Sequence, residues 1–366
     1  MRIKQLSLQN FRSYLNVTIN FTSKTTTFIG DNGAGKTNIV EAIIYLAFLS
    51  SHRVSQNQPL ILLGNQQAII RAEIEKENRT LQIDLEVNAN KANRARINQN
   101  PTRSQKEILG ACQVVHFSPE DLDLVRGDPG TRRDFLDRLL ITRSPRLAGV
   151  SADYERVIKQ RNVLLKTRAA QSALVPWNEQ LVVLASNLTA ERIALCEALN
   201  PWATQNYSNL NETKLMKLDY KSSTEGLSNN PNLNIEIYKK QIQDLQYQEI
   251  ERGTTLFGPH RDDLLIQLGD FPAKGYASHG ESWSVAISLR LGAFDLLRNE
   301  GSDPILILDD VFAELDTTRR LQLMAATQKA EQTIITAAVE GDLPEGLETE
   351  RFYVTPGVVS LKKRGL

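Results

Sequence analysis

Residues 2–9 set Ile3, Leu6 and Leu8 apart with polar positions, which predicts a half-buried strand. Val17 to Phe21 predicts a second strand, and Thr25 to Ile29 a short buried third. Residues 38–49 contain no Pro or Gly and are apolar nearly all round, through Ile39, Val40, Ile43, Ile44, Leu46 and Phe48. Such a segment predicts a buried helix. Residues 68–75 and 80–87 predict a hairpin, and Val114, Val115 and Phe117 another short strand. The period then changes. From about 119 to 200 the chain reads as helical, starting at Ser118-Pro119 with Ser as cap and Pro at the first position. Tyr154, Val157, Ile158, Arg161, Leu164 and Leu165 form one helical stripe; Leu181, Leu184, Leu188, Leu195 and Leu199 form another. Residues 221–234, rich in Ser, Asn and Gly, predict a loop, and 235–250 a further helix. After 253 short strands and Gly-rich turns return.

The pattern implies an α/β head built from both ends of the chain, residues 1–118 and 251–366. A mostly helical insertion, 119–250, separates them. No internal repeat is present, and no heptad tract is long enough for a coiled-coil arm.

Bulk properties narrow this little. The 366 residues carry 43 Lys plus Arg against 43 Asp plus Glu. That balance argues against a broad cationic coat but leaves room for a local basic patch. Cys112 and Cys196, the only cysteines, form neither a zinc pattern nor a disulfide framework, so a reducing, cytoplasmic setting is expected. The opening residues are too polar for a secretory segment, and no apolar run approaches about 18 residues, the length of a membrane span.

Chemistry concentrates in three places. Gly30-Asp31-Asn32-Gly33-Ala34-Gly35-Lys36-Thr37 fits the phosphate-loop pattern, and its strand and helix context is the one that pattern needs. Its backbone N–H groups, with those running on into Asn38, would cradle phosphate. Lys36 would reach the β- and γ-phosphates, and Thr37 would ligate magnesium. Far away, the apolar strand Ile305 to Leu308 ends in Asp309-Asp310. Asp309 is expected to hold the magnesium and Asp310 to orient the attacking water. Asp310 has a second reading as a turn cap, and an Asp there is one methylene shorter than a Glu. Third, Ser278-His279-Gly280-Glu281-Ser282 precedes a strong helix. Ser278 and Gly280 at its start would bind a phosphate held by a second subunit; the plain alternative is a capped helix.

The order and spacing of these segments resemble the ATP-binding-cassette ATPases of chromosome maintenance and repair, and more closely the RecF family of recombination mediators. The matching stretches are Leu8 to Tyr14, Gly30 to Asn38 with Glu41-Ala42-Ile43, Ser51-His52-Arg53 and Phe117 to Val125. They continue with Arg132 to Asp137, Gly258 to Asp263 and Leu308 to Asp316. The resemblance implies an ABC-type P-loop ATPase head, SMC-like, without the long coiled coil. It implies Gly30 to Thr37 as Walker A, Asp309 as Walker B, Asp310 as the catalytic neighbour, and Ser278 and Gly280 as the signature that closes on ATP in trans. Asp316 matches a dimer-seam aspartate, with capping of a helix near Thr317 as its other reading. The implied activity is weak DNA-stimulated ATP hydrolysis with Mg2+. The implied partners are a second copy of the chain on ATP, gapped or junction DNA without sequence specificity, RecR, and RecO and RecA in the same pathway.

Two departures stand out. The family signature usually reads Ser-x-Gly-Gln, whereas Glu281 and Trp283 follow here, placing a negative charge and a bulky ring near a triphosphate unless Glu281 pairs or points away. Ala337-Ala338 stands where the family often has threonines. An ATP-binding DNA adaptor with little or no hydrolysis is therefore the alternative function. Candidate phosphate contacts on DNA are Arg94, Arg96 and Arg103 around Pro101, and Arg132, Arg133, Arg156, Lys159, Arg161, Lys166 and Arg168 in the insertion. The sequence shows no aromatic platform for bases. His260-Arg261-Asp262 reads either as part of a binding face or as a structural turn.

Overall fold

A computed structural model describes residues 1–77, 79–210 and 213–361. It divides into two compact units, residues 1–121, 209–211 and 287–366, and residues 122–208 and 212–286.

The first unit holds two six-stranded sheets. One is antiparallel, built from β1 (Arg2–Phe11), β2 (Tyr14–Asn20), β4 (Gln67–Lys76), β5 (Arg79–Asn88), β6 (Arg94–Ile97) and β7 (Asn100–Pro101), in the order β2-β1-β4-β5-β6-β7. The other is built on β3 (Thr25–Ile29), β8 (Val114–Phe117), β12 (Ile305–Asp309), β13 (Thr333–Ala337), β14 (Glu350–Thr355) and β15 (Val358–Ser360). Its order is β15-β14-β3-β13-β12-β8, parallel except for the edge strand β15. Every residue of β3, β8, β12 and β13 is buried. Burial on both faces explains why these strands read as continuous apolar runs instead of alternating. Helix α1 (Lys36–Phe48) shares one core with both sheets, and Ile39, Val40, Ile43 and Ile44 are fully buried in it. It ends at Leu49, whose left-handed φ of 55° lets its N–H bond Tyr45.

The second unit is mostly helical. A single turn, α2 (Asp123–Arg126), leads to α3 (Pro129–Arg143), α4 (Leu147–Lys166), α5 (Gln171–Ser208) and α6 (Pro231–Arg252). α6 starts on the Asn230 cap and stops at Gly253, which has the left-handed φ of 63° that favours glycine. Its first turn lies in the stretch predicted as loop. A three-stranded sheet completes the unit: β9 (Met216–Lys221), β10 (Asp263–Leu268) and β11 (Phe271–Pro272), in the order β11-β10-β9. β9 was not expected. Its antiparallel pairing with β10 carries the unit past residue 250 as far as Ala286, where the sequence pattern had assigned the chain to the head. The short turn α7 (Ala273–Tyr276) leads into α8 (His279–Asn299), and the division between units falls within α8. Helix α9 (Thr317–Lys329) belongs to the first unit, and Asp316 caps it by accepting the Arg319 N–H at 2.9 Å.

Candidate functional site

Strand β3 delivers the chain to Gly30, where a Cβ would sit 2.2 Å from the Val354 carbonyl oxygen, so only glycine fits. Gly33 and Gly35 follow with φ of 83° and 116°, and Gly35 caps α1. Tyr14 closes behind the loop, its hydroxyl donating to the Gly35 carbonyl at 3.1 Å. Lys36 is nearly fully buried, and its Nζ donates to the Gly30 carbonyl at 2.7 Å. The same ammonium lies 3.8 Å from Asp310 Oδ1. The glycines thus fix the turn of the loop, and the Lys36 ammonium folds back onto its first residue.

Strand β12 brings Asp309 to this loop from the far end of the chain. Thr336, on neighbouring β13, donates to Asp309 Oδ1 at 2.6 Å and accepts the Asp310 N–H at 2.9 Å. One hydroxyl therefore fixes both acidic residues, a role the sequence did not reveal. Thr37 Oγ1 stands 3.5 Å from Asp309 Oδ1. Two oxygens cis on an octahedral magnesium lie about 2.9 Å apart, so small closure suffices for both to ligate one ion. Asp310 occupies the left-handed region with φ of 52°, a conformation held at some energetic cost. Its buried Oδ1 has no hydrogen-bond partner. Asp309 has its pKa raised to about 6, first by burial and further by Asp310 and Glu120, with the Thr336 hydrogen bond and Lys36 opposing. A buried, acid-rich pocket of this kind favours a divalent cation. Its cleft encloses about 620 Å³ and is lined by Lys36, Thr37, Arg53, Asp310, Ala337 and others, all from the first unit.

Beside the cleft runs a charged network whose members, in three separate segments, show no role in the sequence. Glu41 is wholly buried in α1 and accepts Arg12 through both oxygens, at 2.7 and 2.6 Å. Ser51 donates to it at 2.5 Å, and Arg53 lies 3.5 Å away. Burial pushes the Glu41 carboxyl up, but the Arg12 and Ser51 hydrogen bonds outweigh it and the net shift is downward. Arg53 also donates to Asn38 Oδ1, and Asn38 donates to Ser13. Glu41 thus ties the turn at 51–53, which bears a cleft-lining arginine, to the phosphate-loop helix. The available signal was a lone carboxylate on a helix otherwise apolar all round.

Ser278 and Gly280 lie in the second unit. At the head of α8 the Ser278 hydroxyl accepts the Glu281 N–H at 3.2 Å while Glu281 accepts the Ser278 N–H at 2.8 Å. This is a reciprocal capping box. Lys214 donates to the other Glu281 oxygen at 2.6 Å. Lys214, then the Ser278 N–H, hold the Glu281 carboxyl down at about 2. The unusual negative charge is therefore paired within its own unit, and Trp283 is buried in the helix's inner face.

The structure corrects the basic candidates. Arg132 is buried and bidentate to Asp263, Arg133 donates to the Asp262 carbonyl at 2.7 Å, and Arg161 is buried against Glu249. Arg132 and Arg161 hold the second unit together and are not offered to a phosphate backbone, while Arg133 is half-buried with one nitrogen committed. Arg94, Arg96, Arg103, Arg156, Lys159, Lys166 and Arg168 are exposed. Phe271 and Tyr276, stacked at 5.2 Å and 22°, are both more than half exposed, an aromatic pair that the sequence did not reveal because β11 and α7 are too short to show a pattern.

His260-Arg261-Asp262 is a structural turn. Asp262 is fully buried and accepts from Tyr220 and the Ser223 N–H, each at 2.7 Å. His260 Nδ1 lies 2.7 Å from the Tyr154 hydroxyl. Burial, and after it Arg261, lowers the His260 pKa from 6.5 to about 4. Between those values the unfolded chain binds a proton that the fold rejects, so this contribution is intact above pH 6.5 and is lost as pH falls toward 4. It amounts to at most about 3 kcal/mol. His260→Gln is expected to flatten that limb of a stability-against-pH profile. All three tryptophans, Trp177, Trp202 and Trp283, lie in the second unit, so their fluorescence during urea unfolding reads it directly. An unchanged limb would refute the assignment.

Comparison with known proteins places the chain in a family. A family profile described as RecF/RecN/SMC N terminal domain matches residues 2–356. The chain is 48% identical over 370 residues to the DNA replication and repair protein RecF of Streptomyces avermitilis, covering 98% of this chain and 99% of that one. It is 46% identical over 383 residues to the protein of the same name from Rhodococcus erythropolis, covering 97% and 93%. A solved structure of the recombination mediator protein RecF-ATP in the RecFOR pathway matches with a TM-score of 0.89 at 24% identity, over 98% of this chain and 96% of that one. An SMC head bound to the C-winged helix domain of ScpA matches with a TM-score of 0.57 at 16% identity, over 98% and 96%. The fold is that of an ABC-type, SMC-like head. With full-length relatives at this identity, the chain belongs to the RecF family of DNA replication and repair proteins.

Proposed function

We propose that this chain is a magnesium-dependent ATPase of recombinational repair that uses ATP as a clamp. The observation that carries the reading is Lys36, buried and folded back onto the phosphate loop, 3.8 Å from Asp310 and next to the Thr37–Asp309 oxygen pair. The Gly30 to Asn38 segment would bind the triphosphate, with Thr37 and Asp309 holding Mg2+, which supplies charge neutralisation on the phosphates. Asp310, held by its own N–H on Thr336, would orient water for attack. Ser278 and Gly280 of a second copy would complete the site. Glu281 does not oppose this, because Lys214 and the Ser278 N–H already satisfy its charge.

The ATP-joined pair would hold gapped or junction DNA, and slow hydrolysis would release it. Exposed Arg94, Arg96, Arg103 and Lys159 suit backbone contacts, and the Phe271–Tyr276 pair suits stacking on an unpaired base. The pathway named for the ATP-bound relative supports RecR and RecO as partners, and RecA would act in the same pathway. The second reading, an ATP-binding adaptor, draws on the cleft lining. Ala337 and Ala338 present methyl groups there, and Asp310 reaches less far than a Glu.

Sedimentation with ATP and gapped DNA separates the two. Dimers are expected for the intact chain. Ser278→Arg is expected to weaken dimerisation at least about tenfold, about 1.4 kcal/mol, while ATP binding is retained. An intact chain that binds ATP yet stays monomeric on DNA would leave the adaptor reading standing and end the clamp.

A further inference from the structure

Asp309 has two faces. Its Oδ1 is committed to Thr336 and Thr37 on the phosphate-loop side. Its Oδ2 looks the other way, toward His116 Nε2 at 4.0 Å. His116 sits on β8, the parallel neighbour of β12, paired with Ile307 two places before Asp309. His52 comes from the turn after α1, and its ring lies over His116 with centroids 4.9 Å apart and planes at 53°. One nitrogen from each imidazole and one oxygen of Asp309 all lie within 4.8 Å of one another. All three residues belong to the first unit, and the cluster is buried except at half-buried His52.

The two faces differ in chemistry. Hydroxyl and carboxylate oxygens suit a hard cation such as magnesium. Two imidazoles and one carboxylate are a ligand set for zinc and its borderline neighbours, with a fourth position left for water. Bonds of 2.0–2.2 Å in a tetrahedral site place ligand atoms about 3.4 Å apart. The trio must therefore tighten by roughly 1 Å, which side-chain rotation at the half-buried His52 can supply. We propose that His52, His116 and Asp309 bind a borderline divalent cation of the Zn2+ class, and that an ion there competes with magnesium for Asp309. The competition, but not the site, rests on the magnesium role given to Asp309 above. The cluster would make nucleotide closure sensitive to a second metal, because the same carboxylate cannot serve both faces at full strength.

The probe is Co2+, titrated into the full chain without nucleotide or magnesium and followed by visible absorption. One saturable equivalent with tetrahedral ligand-field bands, displaced by Zn2+, is expected. His52→Gln and His116→Gln should each weaken it at least tenfold. His52→Gln is the decisive variant, since a half-buried position tolerates it, and a thermal melt checks the fold. Absence of the bands, or bands unchanged in both variants, overturns the site. So does a sulfur charge-transfer band, which would put the ion on Cys112 or Cys196, both free and buried. Added Mg2+ with ATP should raise the Co2+ dissociation constant, and no change removes the competition. Binding of a fluorescent ATP analogue, read separately, tells failure of the nucleotide reading apart from failure of the metal site.

Discussion

Lys36→Ala is expected to weaken ATP binding at least about 100-fold, about 2.7 kcal/mol, and to take phosphate release below detection. The position of Lys36 says why the effect is large. The ammonium is already desolvated and already aimed, tethered to the Gly30 carbonyl at 2.7 Å, so little reorganisation precedes contact with phosphate. It also stands against Asp309 and Asp310. Without it a triphosphate meets two carboxylates with this cation gone, and charge repulsion adds to the lost hydrogen bonds. The substitution should not unfold the head, because α1 is anchored in the core by Ile39, Val40, Ile43 and Ile44. Asp310→Asn gives the informative contrast. It leaves the phosphate loop and Lys36 in place, keeps the backbone N–H on Thr336, and removes only the carboxylate proposed to position water. It should bind ATP normally and stop turnover. Titration with a fluorescent ATP analogue and a phosphate-release assay read the two steps separately. Binding within threefold of the intact chain in Lys36→Ala would show that the triphosphate does not sit in this cleft.

Most of the phosphate side was legible from the sequence because it is local. β3, the loop and α1 are contiguous, and their periods and glycines carry the information within about 25 residues. β12 was legible for a different reason, since a central parallel strand is apolar on both faces and ends abruptly at Asp309. What failed was non-local. β9 pairs with β10 across more than 40 residues, and its alternation of Met216, Leu218 and Tyr220 with charged neighbours was masked by the polar loop on its far side. The Ser278-Glu281 capping box, by contrast, is local and stands in the sequence as S-x-x-E, the capped-helix alternative given for that segment. His52, His116 and Asp309 lie in three distant segments with no metal spacing between them, so only the fold brings them together. Among the basic candidates, Arg132 and Arg161 are buried in ion pairs instead of exposed. A helical arginine can face water or a buried carboxylate, and the stripe it shares with Tyr154, Val157 and Leu165 marks Arg161 as the second kind, although the carboxylate itself, Glu249, lies 88 residues away.

Arg161 shows that difference at its sharpest, and Arg161→Ala is expected to destabilise the second unit by about 3–5 kcal/mol. The side chain is 2% exposed and every nitrogen is used. Nε donates to Asn178 at 2.8 Å, one terminal nitrogen to Thr255 Oγ1 at 2.8 Å, and the other to Glu249 at 2.5 Å. Glu249 is fully buried in α6, and its second oxygen accepts the Leu256 N–H at 2.9 Å. Truncating Arg161 therefore strands a buried carboxylate as well as opening a cavity between α4, α5 and α6. Arg161→Met combined with Glu249→Leu should recover part of the loss by removing both charges, though the Leu256 N–H and Asn178 then lack partners. A double-mutant cycle by urea unfolding, read from the tryptophans of this unit, measures the coupling. An arginine that served DNA would behave in the opposite way: its removal would cut salt-dependent affinity for gapped DNA and leave the unfolding midpoint where it was. Lys159 and Arg168, exposed on the same stretch of sequence, supply that comparison within one protein.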